Sequence, residues 1–155
     1  MSEQPTIRPA SNDDHGAIGR IAEAAELFPA SALGEMIVGY RDGTSQDIWF
    51  VAECAGRVLS FGFCEPERAT EGTWNLLAIG VDPAFQGQGI GTLMMRYIED
   101  QLTGKGQRIL LVETMGTPEF VSQRRFYGAR GYTEEARIRE FYEPGGDKVV
   151  FWKHL

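Results

Sequence analysis

The chain is poor in the residues that staple small folds or ligate metals, with two cysteines and two histidines among 155 residues. Cys54 and Cys64 fall in neighbouring candidate strands joined by the short turn Ala55-Gly56-Arg57. A hairpin closing there sets Cys64 opposite Ile48 and leaves Cys54 about six residues, or ~20 Å, further along the ladder. That lies far outside disulfide reach, so both thiols are expected free. Without a CxxC pair, and with so few histidines, no metal site is expected either. Long apolar runs are missing as well: nothing approaches the ~18 residues of a membrane span, so no membrane partner is expected. The N-terminal MSEQPTIRPASNDD lacks the basic-then-apolar order of an export signal, which points to a cytoplasmic protein. Basic charge is in deficit. Fifteen Lys and Arg against twenty-two Asp and Glu leave a net charge of −7, so no global field for nucleic acid exists. The acidity suits solubility and, beyond that, a cationic substrate.

What is present is ordinary globular material, 43% apolar and 24% charged, in a length that fits one domain over residues 1–155. Such a chain buries ~70% of its unfolded surface and needs no cross-link. Thr6–Arg8 reads as a first strand. Ser11–Asp14 supplies helix-starting side chains, and Ala17, Ile18, Ile21, Ala22, Ala25 and Leu27 recur at helical spacing until Pro29. A second helix opens at Ser31, carries Leu33, Met36, Ile37 and Tyr40 on one face, and ends at Gly43. Ile48–Cys54 and Val58–Cys64 form a candidate hairpin. Thr73–Val81 is apolar enough for a strand buried on both faces. Ile90, Leu93, Met94, Tyr97, Ile98 and Leu102 then mark an amphipathic helix ended by Gly104. Arg108–Thr114 is another buried strand, Thr117 and Pro118 suit the cap and first turn of a helix running to about Ala129, and Tyr132–Ile138 with Lys148–Lys153 closes the chain as a strand pair. This order describes an α/β fold.

The most informative segment is Asp82-Pro83-Ala84-Phe85-Gln86-Gly87-Gln88-Gly89-Ile90-Gly91, between a buried strand and an amphipathic helix. The first amides of a helix have no internal partner and sit at the positive end of its dipole. Glycines let the chain bring those amides close to an anion, most naturally a pyrophosphate. A Walker loop would need a lysine before Thr92, and a dinucleotide fingerprint would need G-x-G-x-x-G on the first strand of its unit. Neither is met. Gly80, inside an apolar strand, marks a bulge or a close approach.

The spacing Gln86-x-x-Gly89-x-Gly91, after Val81-Asp82-Pro83 and before Leu93-Met94, resembles the coenzyme A loop of the GNAT (Gcn5-related) N-acetyltransferases. The likeness is strongest over Trp74–Tyr132, and the element order matches around it. The resemblance implies a central mixed, mostly antiparallel sheet of about seven strands flanked by about four helices. It implies transfer of an acetyl group from acetyl-CoA to a primary amine, by direct attack through a tetrahedral intermediate. Ile79, Gly80 and Val81 would bind the pantetheine arm. A bulge at Gly80 would free an N–H for the oxyanion. Gln86, Gly87, Gln88, Gly89, Ile90, Gly91 and Thr92 would hold the pyrophosphate, with Phe126 beside the cofactor. In Phe126-Tyr127-Gly128-Ala129-Arg130-Gly131-Tyr132 the family's acid falls on Tyr127.

Catalysis of amine acetylation needs a base as well as an acid. Asn75 stands where some members carry a glutamate. Glu113, in the buried strand, is the base candidate, because a carboxylate there needs a partner or a task; Glu67 and Glu71 could act through water. Phe120 replaces an asparagine common in the family, and Arg124, Arg125 and Arg130 could meet the 3′-phosphate or simply be solvated. Phe28, Trp74, Asn75 and Tyr142 are the residues the resemblance sets near a small-molecule or peptide amine, in a monomer or homodimer. A different class of function stays open on Asn75 and Phe120, a non-catalytic acyl-CoA-binding module.

Overall fold

The run from Arg8 to Asp14 decides how the chain enters its first helix. In the computed structural model, which describes residues 3–155, strand β1 (Thr6–Pro9) ends at its proline, and a 3-10 turn (Asn12–Asp14) leads into helix α1 (His15–Ala24). The buried Asp14 carboxylate accepts the Ser11 backbone N–H at 2.8 Å and two guanidinium nitrogens of Arg8 at 2.7 and 3.0 Å. Helix α1 stops three residues short of Leu27, where the apolar period ends. Glu26 turns left-handed at φ 57°, and the link to Pro29 carries Leu27 out to 42% exposure. Helix α2 (Leu33–Asp42) ends, as its sequence predicts, on Gly43 at φ 77°. No helix among the described residues is long and apolar enough to cross a membrane.

Strands β2 (Ile48–Cys54) and β3 (Arg57–Pro66) are joined through Ala55 and Gly56, both at positive φ. This is the backbone that matches the twist of a tight hairpin. Ile48 faces Cys64, and both cysteines are free. Strand β4 (Thr73–Val81), helix α3 (Ile90–Gly104), strand β5 (Ile109–Met115), helix α4 (Val121–Ala129) and strands β6 (Thr133–Glu143) and β7 (Gly146–His154) complete one seven-stranded sheet, in the order β1-β2-β3-β4-β5-β7-β6. Among the described residues, only β4 and β5 run parallel. The last hairpin is longer than its sequence predicts. β6 is exposed along its whole length; no layer covers it, so it carries no apolar period to read.

One face of the sheet (Phe50, Leu76, Leu110, Val112, Phe151) packs on α3 and α4. The other (Trp49, Val51, Phe61, Phe63, Ala78) packs on α1 and α2, in a cluster with no residue of β5, β6 or β7. On that second side β5 and β7 are bare of helix. Strands β4 and β5 pair only across Thr73–Leu76 and Ile109–Val112. Beyond Leu76, β4 follows β3, while β5 stays with β7. A bulge starts the separation: Phe63 faces Ala78 and Cys64 faces Leu76, so Leu77 has no partner and is 43% exposed. Apart from Leu77 the strand is buried on both faces, as its sequence predicts, and its bulge lies three residues before Gly80. Gly80 pairs regularly with Phe61. It is small for another reason: a Cβ there would lie 2.8 Å from Leu27 Cδ1 and 2.9 Å from Phe61 Cε1.

The Arg8 guanidinium, through its hydrogen bonds, holds the Asp14 carboxyl below the usual carboxylate range. A depressed folded value adds stability that is present above the unfolded value, near pH 4, and is lost as pH falls through the folded one. Asp14→Asn is expected to cost about 2 kcal/mol at pH 7. Measured by urea denaturation, its deficit against wild type should shrink as pH falls from 4 toward 2.

Candidate active site

The chain leaves β4 through Asp82, whose carboxylate caps the 3-10 turn Pro83–Phe85 by accepting the Ala84 N–H at 3.0 Å. Gly87 and Gly89 then adopt φ 78° and 82°, where a side chain is strained. Gly89 is the N-cap of α3 and offers no side chain to its first turn, so the leading amides keep their donors for something outside the helix. Gly91 is small because Phe126 packs on it, the ring lying 3.3 Å from where a Cβ would stand. The Gln86 side chain turns away from those amides and donates to the Val81 carbonyl at 3.2 Å, closing the corner between strand and loop. The Arg130 guanidinium stacks over Phe126 and donates to the Thr92 hydroxyl. It thus stands at the first turn of α3. Arg124 is neither solvated nor free for a phosphate: it donates to the Met115 and Thr117 carbonyls, each at 2.8 Å, and pins the β5–α4 link.

Tyr127 lies on the α3–α4 side, 7% exposed, among Phe126, Tyr132 and Phe151. Burial alone pushes its hydroxyl above the ordinary tyrosine value, so the group stays protonated at any physiological pH. A second set of bonds fixes α4 against α3: the Tyr132 hydroxyl donates to Glu99 at 2.7 Å, and Lys153 donates to Glu99 at 3.1 Å and to the Arg130 carbonyl at 3.0 Å. Thr117 takes the N-cap position ahead of α4, with Pro118 in the first turn, as the sequence suggests, but its side chain makes no cap bond. The intervening 3-10 turn Pro118–Phe120 has no side-chain cap, and the buried Thr117 hydroxyl has no partner.

Glu113 follows Val112 on β5 and so points to the opposite side of the sheet. It is paired: Oε2 lies 2.8 Å from Lys148 Nζ, and Oε1 accepts a hydrogen bond from Asn75 Nδ2 at 2.8 Å. The same Asn75 nitrogen donates to Glu67 Oε1 at 3.0 Å. Asn75 is 3% exposed, and its Oδ1 is buried without a partner. Glu65, directly across from Asn75 on β3, has its carboxyl raised, first by burial and then by repulsion from Asp47, Glu67 and Glu113, with Arg68 offsetting part of this. The exposed aromatics Phe141 and Tyr142 stand over this group, with Lys148 4.2 Å from the Phe141 ring centre. Tyr142 is raised by burial and by the charge of Glu113.

Glu113, Asn75 and Tyr142 therefore meet on one side of the sheet, and Tyr127 lies in the core on the other. Ile79 and Val81 pack toward the α3 side along the diverging stretch of β4. Phe28 sits on the rim of the α1–α2 cluster, edge-on to Phe61 at 5.8 Å. Trp74 does not belong to the open side. It is buried in the α3–α4 core and donates to Gln107 at 2.9 Å. Glu71 is exposed in the β3–β4 link and uses its carbonyl to hold Arg108. Sequence reasoning missed Glu65 and Lys148; the signal for both was the side-chain alternation that sets them on the face of Asn75 and Glu113.

A GNAT acetyltransferase domain model matches residues 45–134. An uncharacterized N-acetyltransferase of Methanocaldococcus jannaschii is 24% identical over 95% of this chain and 90% of its own length. A Desulfovibrio desulfuricans crystal structure assigned to the GNAT family superposes with TM-score 0.88 at 25% identity, covering 97% of this chain and 99% of that one. A Salmonella typhimurium structure solved with acetyl-CoA shows the same fold, with TM-score 0.81 at 18% identity over 99% and 95% of the two chains. The matched segment runs from just before the hairpin through the glycine loop and past Tyr127, more than half of the sequence, and the chain belongs to the GNAT acetyltransferase family.

Proposed function

We propose that this protein transfers an acetyl group from acetyl-CoA to a primary amine. The observation that carries the reading is the split between β4 and β5 beside an uncapped helix start, with a protonated tyrosine on one side and three carboxylates on the other. The S. typhimurium relative with acetyl-CoA supports the choice of donor. In this reading the amides of Gln88–Thr92 hold the pyrophosphate, with Arg130 beside them. The edge of β4 from Leu77 to Val81, which β5 leaves unpaired, takes the pantetheine arm. The bulge at Leu77 takes over the oxyanion role expected of Gly80.

The amine nitrogen bonds to the acetyl carbon, the carbon–sulfur bond breaks, and the sulfur leaves with the electron pair. Tyr127 supplies the proton that the departing sulfur needs. On the other side the ammonium must first lose one. Glu113, held by both Lys148 and Asn75, anchors the ammonium in this reading. Glu65, whose proton affinity is raised by burial and by the neighbouring carboxylates, is the acceptor in this reading.

Coenzyme A should bind the wild type in calorimetry and raise its melting temperature. Gly89→Val, which forces a β-branched residue to φ near 82°, should weaken that binding tenfold or more while the protein still melts cooperatively. Tyr127→Phe should lower kcat about a hundredfold with little change in coenzyme A affinity. For Glu65 the sign follows from its raised carboxyl: kcat/KM should rise with pH through a limb above the ordinary carboxylate range. Glu65→Gln should remove that limb and lower kcat/KM about a hundredfold in a pH–rate series. Coenzyme A binding without acetylation of any amine in a broad panel would leave the binding-module reading instead.

A further inference from the structure

The open side of the split carries charges of both signs, and acetyl transfer to an amine accounts only for the negative ones. Lys148 sits on β7 with its side chain 15% exposed, 2.8 Å from a Glu113 carboxylate that is itself only 23% exposed. Its ammonium lies over the Phe141 ring rather than out in water. An amine arriving at Glu113 must therefore approach the ammonium of Lys148 as well. A bare amine meets that like charge with nothing to offset it. An amine that carries a carboxylate one carbon away does not, because its two charges can alternate with those of Glu113 and Lys148. Asn75 adds a second sign of an incomplete site: it spends its amide N–H groups on Glu67 and Glu113 while its buried Oδ1 accepts nothing. The walls are apolar and exposed, namely Leu77 on the bulge, Leu27 on the α1–α2 link, and Tyr142.

Resting on the acetyltransferase reading, we infer that the acceptor is a free α-amino acid with an apolar side chain. Its ammonium lies against Glu113 and Glu67 around Asn75, its carboxylate against Lys148, and its side chain along Tyr142 and Leu77. Lys148 is then the residue that selects for substrate carboxylate. It also excludes peptide N-termini, which have an α-amine but no adjacent carboxylate.

The test compares kcat/KM for L-leucine, L-methionine and L-phenylalanine with their amides and their decarboxylated amines. Each free amino acid should exceed both analogues at least tenfold, as expected for a desolvated charge-assisted contact. Lys148→Met should bring those ratios to within about threefold of one, and Lys148→Arg should keep the preference. Calorimetric titration of L-leucine and L-leucinamide into the coenzyme A complex reads the same selection without turnover, and the wild-type comparison needs no variant to fold. Ratios near one in the wild type, or ratios that survive Lys148→Met, overturn the inference and leave amine acetylation standing. Acetylation of none of these compounds or of any other amine, with coenzyme A bound, ends both.

Discussion

The parting of β4 from β5 after Leu76 is the constraint on which the rest of the site depends. Tyr127 is rooted in the core under α3 and α4, while Glu65, Glu113 and Asn75 lie on the opposite side of the same sheet. A continuous sheet would keep the two sets apart, because its ladder of hydrogen bonds leaves no room for a ligand to pass. Leu77 bulges out and the parallel pairing stops at Leu76 and Val112, so that ladder is interrupted where the two strands part. The bulge does this at small cost, since β3 and β7 still satisfy the outer edges of the diverging strands.

The helix start at Gly89 sits at the mouth of the same split because β4 feeds directly into the loop. Its position is set by packing: Phe126 against Gly91, Arg130 against Thr92, and the Glu99–Tyr132–Lys153 bonds that lock α4 and β7 to α3. Tyr127 lies in the turn of α4 next to Phe126, so whatever positions the loop also positions the hydroxyl. This coupling explains why a buried tyrosine with no polar partner to fix it can still be precisely placed.

Much of this was legible in the chain. The hairpin register followed from the turn Ala55-Gly56 and the alternation on either side of it, and Ile48 does face Cys64. The loop and its helix could be read because strained glycines and an apolar 3.6-residue period are local signals. What could not be read depended on distant neighbours. Gly80 looks the same in a sequence whether it permits a bulge or makes room for Leu27, and only the packing of the α1–α2 link decides. Trp74 seemed to suit a substrate wall, yet one step along the strand separates it from Asn75 and puts it on the other face. Strand β6 was cut short because an exposed edge has no pattern to announce it. Arg124 and Arg130, six residues apart in one basic segment, have different tasks, which only their partners reveal.

The charge of the molecule takes on a more specific meaning at the split. A net charge of −7 would favour any cation, but the local arrangement is more selective than that. Burial first, and then repulsion from Asp47, Glu67 and Glu113, raises the proton affinity of Glu65. Lys148 relieves part of that repulsion by pairing with Glu113, and in doing so it divides the labour among the acids. One carboxylate is tied to an ammonium and an amide, while the other has its proton affinity raised. With asparagine at position 75, β4 contributes no charge of its own on this face. It contributes an amide that holds two carboxylates at hydrogen-bonding distance without becoming a third competitor for the proton.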